Sequence, residues 1–282
     1  MTLSDSVRPA DLLTERTPRV VSAVKLHRSA ERRKRGLFLA EGSNAVGSAV
    51  AADAATEIFC TDDAAMRHHE LLAEAQARGV RVGPVTERAA ERLSETVTPQ
   101  GIIAVCRLLD VDLDEALGAL GEGAPGLVAV PVAVADPGNA GTVVRIADAM
   151  GAGAVVFAGD GVDPHNGKSV RSSAGSVFHV PIARERDTGR VITALRSKGV
   201  QILATAADGE LDLDEADDVL ARPTAWLFGN EAHGLDGPAS AAADHRVRIP
   251  IGGRAESLNL ATAAAICLHA GARAQRRAGT GA

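Results

Sequence analysis

From Leu127 onward, short apolar runs alternate with helical patterns, and each run ends in turn-forming residues. The runs Leu127–Ala135, Ala154–Ala158, Val200–Thr205, Thr224–Gly229 and Arg246–Pro250 read as buried strands. Helices beginning near Gly141, Thr188 and Ser257 would supply the crossovers that parallel pairing requires. The expected fold is therefore α/β, with a mostly parallel sheet covered by helices. Ligands of such sheets gather outside the carboxyl ends of the strands, and three polar, glycine-containing segments occupy three such ends.

The chain of 282 residues is long enough for a second domain. Upstream, Leu37–Ala40, Glu57–Cys60, Val80–Val82 and Ile102–Val105 read as strands, with helices over Ser43–Ala52, Ala64–Ala77 and Glu87–Ser94. This outlines a small α/β domain over 20–107, after a poorly ordered tail at 1–19. Residues 108–126 are acidic, then glycine-rich, and read as a linker to a second domain at 127–276, with a tail at 277–282. The linker contains Gly121-Glu-Gly123-Ala-Pro-Gly126, formally a G-x-G-x-x-G. It is rejected as a dinucleotide fingerprint, because it precedes a strand and places Pro125 where a helix should open.

Five Phe, one Trp and no Tyr exclude a broad aromatic platform for stacking nucleobases. The net charge of −6 also argues against a phosphate-binding surface, but the average hides an asymmetry. Between Arg16 and Arg35 eight basic residues face a single acid, Glu31, leaving the rest of the chain strongly acidic. Cys60, Cys106 and Cys267 are odd in number and widely spaced, which fits neither a disulfide framework nor a metal clamp. A reducing cytoplasm is the simplest setting, and no apolar stretch is long enough to span a bilayer.

The first strand-end loop is Asp136-Pro-Gly-Asn139-Ala-Gly141, followed by an apolar helix that carries Arg145 one turn in. Asn139 lies near the N-cap, and the amides there could seat an anion; it could equally be a cap alone, with Arg145 a surface charge. The second loop, Gly229-Asn-Glu231-Ala-His233-Gly234, places a carboxylate between glycines directly after an apolar strand. That is costly unless the charge finds a partner, although a solvated turn would also accept it. No further His or Cys cluster completes a metal site with Glu231 and His233, and no metal is expected. The third loop runs from Pro250 to Asn259 into a long alanine-rich helix. Ser257 reads as the N-cap, which leaves Asn259, a poor helix former, in need of a partner. Neither a P-loop nor a G-x-S-x-G elbow is present, and Cys267 falls on an apolar helical stripe.

In this order the three loops resemble the signature motifs of the SpoU/TrmH family of RNA ribose 2′-O-methyltransferases, within the SPOUT superfamily. Asp136-Pro-Gly-Asn-Ala-Gly-Thr-Val-Val-Arg145-Ile-Ala-Asp148 is similar to the first motif, and Leu227-Phe-Gly-Asn-Glu231-Ala-His-Gly-Leu235 to the second. Ile249-Pro-Ile-Gly-Gly-Arg-Ala-Glu-Ser257-Leu-Asn259 is similar to the third, and Lys168-Ser-Val-Arg171-Ser-Ser173-Ala-Gly175-Ser176 matches the run between them. Arg33-Lys-Arg-Gly-Leu-Phe-Leu-Ala-Glu41-Gly42 and Thr98-Pro-Gln-Gly101 resemble the start and end of the L30e-like substrate-binding domain that precedes the catalytic domain in many members.

The resemblance implies an L30e-like domain followed by a SPOUT domain with a C-terminal trefoil knot, in an obligate homodimer. It implies S-adenosylmethionine as cofactor, held largely by the main chain of Leu227, Gly229, Ile249, Ile251 and Leu258. It also implies a reacting cluster of Asn139, Arg145, Glu231, Ser257 and Asn259, and an RNA-binding set of Arg32, Arg33, Arg35, Arg145 and Arg171. The expected substrate is structured RNA, foremost 23S ribosomal RNA, since the L30e-like layout is typical of ribosomal enzymes and is shared by antibiotic-resistance methylases. Transfer RNA is the alternative substrate, and a non-catalytic RNA-binding dimer the alternative class.

Overall fold

The computed structural model describes residues 12–118, 120 and 126–279, which divide into two compact units. The first contains 12–109 together with the later segment Asp163–His179; the second contains the rest. The expected boundaries at 108–126 and 127–276 are therefore corrected on two counts. The later segment leaves the second unit's sequence and joins the first, and the expected linker is largely part of the second unit's fold. The formal glycine motif at 121–126 lies, except for Gly126, outside the described residues, as do 1–11 and 280–282.

In the first unit, α1 (Pro18–Val24) and α2 (Ser29–Arg35) precede β1 (Leu37–Glu41) and α3 (Ser43–Ala51). Next come β2 (Ala55–Cys60), α4 (Asp62–Arg67), α5 (His69–Ala77), β3 (Arg81–Pro84), α6 (Glu87–Leu93) and β4 (Ile102–Arg107). The sheet order is β1-β4-β2-β3, antiparallel except between β2 and β3. The single helix expected over Ala64–Ala77 is two helices that meet at His68, the first capped by Thr61, whose Oγ1 accepts from the Ala64 amide. Residues near the expected tail are ordered: Leu13 bridges Val85 beside β3, and α1 opens with Pro18 in its first turn. Val20, Leu26, Leu39, Phe59, Leu93 and Ile103 form a core on one side of the sheet. Against β1, Phe38 packs on His165 and Phe178 from the later segment.

In the second unit, β5 (Asp110–Val111), α7 (Leu113–Ala116) and β6 (Leu127–Pro131) lead into α8 (Pro137–Ala149) and β7 (Ala154–Ala158). The later segment of the first unit carries α9 (Gly167–Ser173), after which the chain forms β8 (Ile182–Glu185), α10 (Thr188–Ser197), β9 (Gln201–Thr205) and β10 (Leu211–Asp212). It ends with α11 (Asp217–Leu220), β11 (Thr224–Phe228), α12 (Gly237–Ala241), β12 (His245–Arg248) and α13 (Leu260–Gly279). The strand order is β10-β12-β9-β11-β6-β7-β8-β5, and every named pairing is parallel. Leu113, Ala116, Leu117 and Leu120 sit in this unit's core with Val128, Val130, Ile202 and Leu227, so the acidic stretch is held by its apolar side chains. The order reverses at β6: the chain proceeds outward to β7 and β8, then returns on the other side of β6 with β11, β9 and β12. Such a reversal opens a crevice at the carboxyl ends of the two adjacent strands, here β6 and β11. Helix α13 packs on α8, α11, β6 and β11.

Candidate active site

The loop after β6 turns into α8 through Asp136, not through Asn139 as expected. The Asp136 Oδ1 accepts from the Asn139 amide at 2.9 Å, and Pro137 occupies the first turn, so the helix starts four residues before Gly141. Asn139 is thus inside the first turn, with its backbone capped and its side chain available. The loop after β11 closes on itself, Asn230 and Gly234 exchanging backbone hydrogen bonds of 2.9 and 2.8 Å. Gly229 is required there, since a Cβ would overlap the backbone of Gly234 and Leu235. The third loop is also corrected: α13 begins at Leu260, and its cap is Asn259, not Ser257. The Asn259 Oδ1 accepts from the amides of Ala261 and Thr262, at 2.9 and 3.3 Å.

These three loops meet through one line of side chains. Asn259 Nδ2 donates to Asn139 Oδ1 at 3.1 Å, and Asn139 Nδ2 donates to Glu231 Oε1 at 3.0 Å. The Glu231 carboxylate also accepts from the amides of Ala135 and Asp136, each at 3.2 Å. Burial raises its pKa, but hydrogen bonds from Asn139, its own backbone, Ala135 and Asp136 outweigh that and hold it below the usual glutamate value. The charge that the sequence left in need of a partner has several donors. A carboxylate so held is a weak base and a strong acceptor, suited to fixing Asn139 in one orientation.

The structure brings together Asn139, Glu231 and Asn259 of the expected cluster. Arg145 is exposed on α8 and makes no hydrogen bond or ion pair among the described residues, and exposed Ser257 likewise makes none. Leu227 is buried and its carbonyl accepts from Thr205 Oγ1 at 3.2 Å, while Gly229, Ile249 and Leu258 are half-buried and Ile251 is exposed. Residues 250–257 are exposed, and no backbone hydrogen bond engages 249–258 among the described residues. No group of three or more His, Cys, Asp and Glu among the described residues is arranged to hold a metal.

The expected RNA-binding set lies partly elsewhere in the economy of the fold. Arg32 is 3% exposed, with Nε and Nη2 on Asp163 at 2.9 and 2.7 Å and Nη1 on the carbonyls of Leu26 and His27. It is a structural ion pair and is withdrawn from that set, because a guanidinium so enclosed has no free donor face. Arg35 donates to the Ser22 carbonyl and Arg171 pairs with Glu41 at 3.5 Å, whereas Arg33 and Lys34 are exposed. Sequence reasoning missed Asp136 and Asn230. The Asp-Pro pair was itself a legible cap-and-first-turn signal.

The arrangement of parallel sheet and strand-end loops is that of solved ribosomal RNA methyltransferases. An rRNA methyltransferase from Sinorhizobium meliloti, solved with AdoMet bound, superposes with a TM-score of 0.80 at 30% identity, covering 93% of this chain and 97% of that one. A SpoU methyltransferase from Streptomyces viridochromogenes, in complex with the cofactor AdoMet, gives 0.78 at 29% identity, covering 92% of this chain and 99% of that one. A 23S rRNA (guanosine(2553)-2′-O)-methyltransferase of Bacillus subtilis is 34% identical over 87% of this chain and 92% of its own. The SpoU rRNA Methylase family matches residues 126–269, and an MRM3-like substrate binding domain matches residues 17–104. The chain belongs to the SpoU rRNA methylase family.

Proposed function

We propose that the protein transfers a methyl group from S-adenosylmethionine to a ribose 2′-hydroxyl of 23S ribosomal RNA. The observation that carries this reading is the Asn259–Asn139–Glu231 line, which joins all three strand-end loops at the crevice beside β6 and β11. The named activity of the Bacillus relative supports the ribosomal substrate.

The residues present fit the cofactor. The main chain of 249–258 has uncommitted donors and acceptors, Ile251 offers an exposed apolar side chain, and the Gly229 turn brings backbone to the crevice. Leu227, Gly229, Ile249, Ile251 and Leu258 would hold it, mostly through backbone groups, as suits adenine recognition in an apolar pocket. When bound, S-adenosylmethionine supplies an electrophilic methyl group on a cationic sulfur. The chain's contribution is alignment: the fixed amides of Asn139 and Asn259 orient the ribose, and holding reactants in line supplies on the order of several kcal/mol. Arg145, an exposed cation, anchors the phosphate of the target nucleotide and stabilises negative charge as it develops on the 2′-oxygen. Ser257 lies on the same loop as Asn259 and completes the polar surface.

The same reading carries a trefoil knot around residues 227–259, a homodimer, and work in the cytoplasm, where three buried free thiols are at ease. No helix among the described residues is long and apolar enough to cross a membrane. Mapping 2′-O-methyl sites in ribosomal and transfer RNA, with and without the protein, tests the reading. A mark gained on 23S RNA is expected; a mark found only on transfer RNA, or none, overturns it.

A further inference from the structure

We infer that Asn230 is a positioning residue for methyl transfer: it fastens the loop after β11 to the end of β6 and so sets where the Glu231 carboxylate meets Asn139. This deepens the reading above and rests on it. Every polar group of Asn230 is engaged. Its Nδ2 donates to the Ala133 carbonyl at 2.7 Å, its Oδ1 accepts from the Ala232 amide at 2.9 Å, and its backbone exchanges two hydrogen bonds with Gly234. The next residue, Glu231, grips the amides of Ala135 and Asp136. Two consecutive residues thus hold the β6–α8 junction, one by donating a hydrogen bond to a carbonyl and the other by accepting hydrogen bonds from amides.

Ala133, the residue that Asn230 holds, is itself an unusual backbone position. It sits at φ +49°, in the left-handed region that a residue with a Cβ rarely adopts, while its amide donates to the Ala158 carbonyl at 2.8 Å. A backbone held in that region persists where the surroundings over-determine it, and Asn230, through the Ala133 carbonyl, is one of the groups that do so. Glu231 is exposed and has several free torsions, so its carboxylate meets the amides reliably only if the loop backbone is anchored first. The other ionisable groups here are Asp136, whose carboxylate accepts from the Asn139 amide, and His233, exposed on the same loop. An asparagine serves because it donates outward to Ala133 while accepting from Ala232. Aspartate lacks the donor, serine is too short to reach Ala133, and alanine does neither.

The test compares wild type, Asn230→Ala, Asn230→Ser and the double variant Asn230→Ala/Ala133→Gly. Methylation of a 23S RNA fragment gives kcat and KM, calorimetry gives the S-adenosylmethionine Kd, and carbon-13 NMR titration follows the Glu231 carboxyl. Asn230→Ala is expected to lower kcat at least tenfold with the cofactor Kd within threefold, and to move the Glu231 titration up toward the usual glutamate value. Glycine at 133, free to hold a positive φ, recovers part of the loss. Should Asn230→Ala not fold, Asn230→Ser gives the same readings. Unchanged kcat and an unchanged Glu231 titration in both single variants overturn the inference. A wild type that methylates no ribosomal RNA defeats the functional reading instead, and the Glu231 titration still decides the role of Asn230.

Discussion

Asn139 shows how one side chain serves two neighbours: its amide group donates to Glu231 while its carbonyl accepts from Asn259. Neither end can turn over without breaking both bonds, so the orientation is determined by the pair. Arg145, by contrast, is exposed and makes no hydrogen bond or ion pair among the described residues. Replacing Arg145 with alanine should abolish methylation while leaving S-adenosylmethionine affinity within a few-fold, as measured by calorimetry beside a methyl-transfer assay. Glu231 has a pH signature. Its pKa is lowered in the fold, so its contribution is complete above the ordinary carboxylate range and is lost as pH falls through the folded value. Urea melts across an acid series should therefore show a steeper loss for wild type than for Glu231→Gln, which cannot titrate. Most of these residue types were readable in the sequence as polar groups at strand ends. Their bonding was not, because which asparagine caps a helix and which faces the crevice depends on where the helix begins.

The last helix opens later than its sequence suggests, at Leu260. Ser257 reads as the cap in the sequence, yet the chain stays irregular through Leu258 and the cap falls to Asn259. The asparagine therefore binds the helix start with its oxygen and Asn139 with its nitrogen, so helix initiation and site geometry are one feature. Asn259→Ala should cost about 1 kcal/mol through the lost cap, with a larger proportional loss of kcat. Ser257→Ala should leave the thermal midpoint within about half a kcal/mol equivalent, as befits an exposed group with no special role in the fold. Strands were the most legible elements. Ala154–Ala158 was read to the residue and Thr224–Phe228 to within one, because buried parallel strands are continuous apolar runs. Short pieces such as β5, β10 and α7 escaped, since two to four residues carry no period, and β8 escaped with them.

For the whole molecule, charge is divided between exposed and structural roles. Of the basic stretch, Lys25, Arg28, Arg33 and Lys34 are exposed, Arg19 pairs with Glu57, and Arg32 is buried on Asp163. Reversing Arg33 and Lys34 together should weaken RNA binding and flatten its salt dependence, measured as the slope of affinity against salt concentration. Arg32→Ala should act differently, destabilising the fold by about 3–5 kcal/mol because Asp163 is left charged and enclosed. That difference could not be seen in a run of like charges, where each arginine looks the same until its partner, distant in sequence, is known. Asp163 belongs to the segment Asp163–His179, which also gives β1 the ring partners of Phe38. A gene cut at residue 109 would encode a first unit with a missing wall, its Phe38 bared and its Arg32 stranded. The protein's substrate-binding half is therefore not a detachable cassette, and shuffling it between relatives requires grafting two pieces of chain at once.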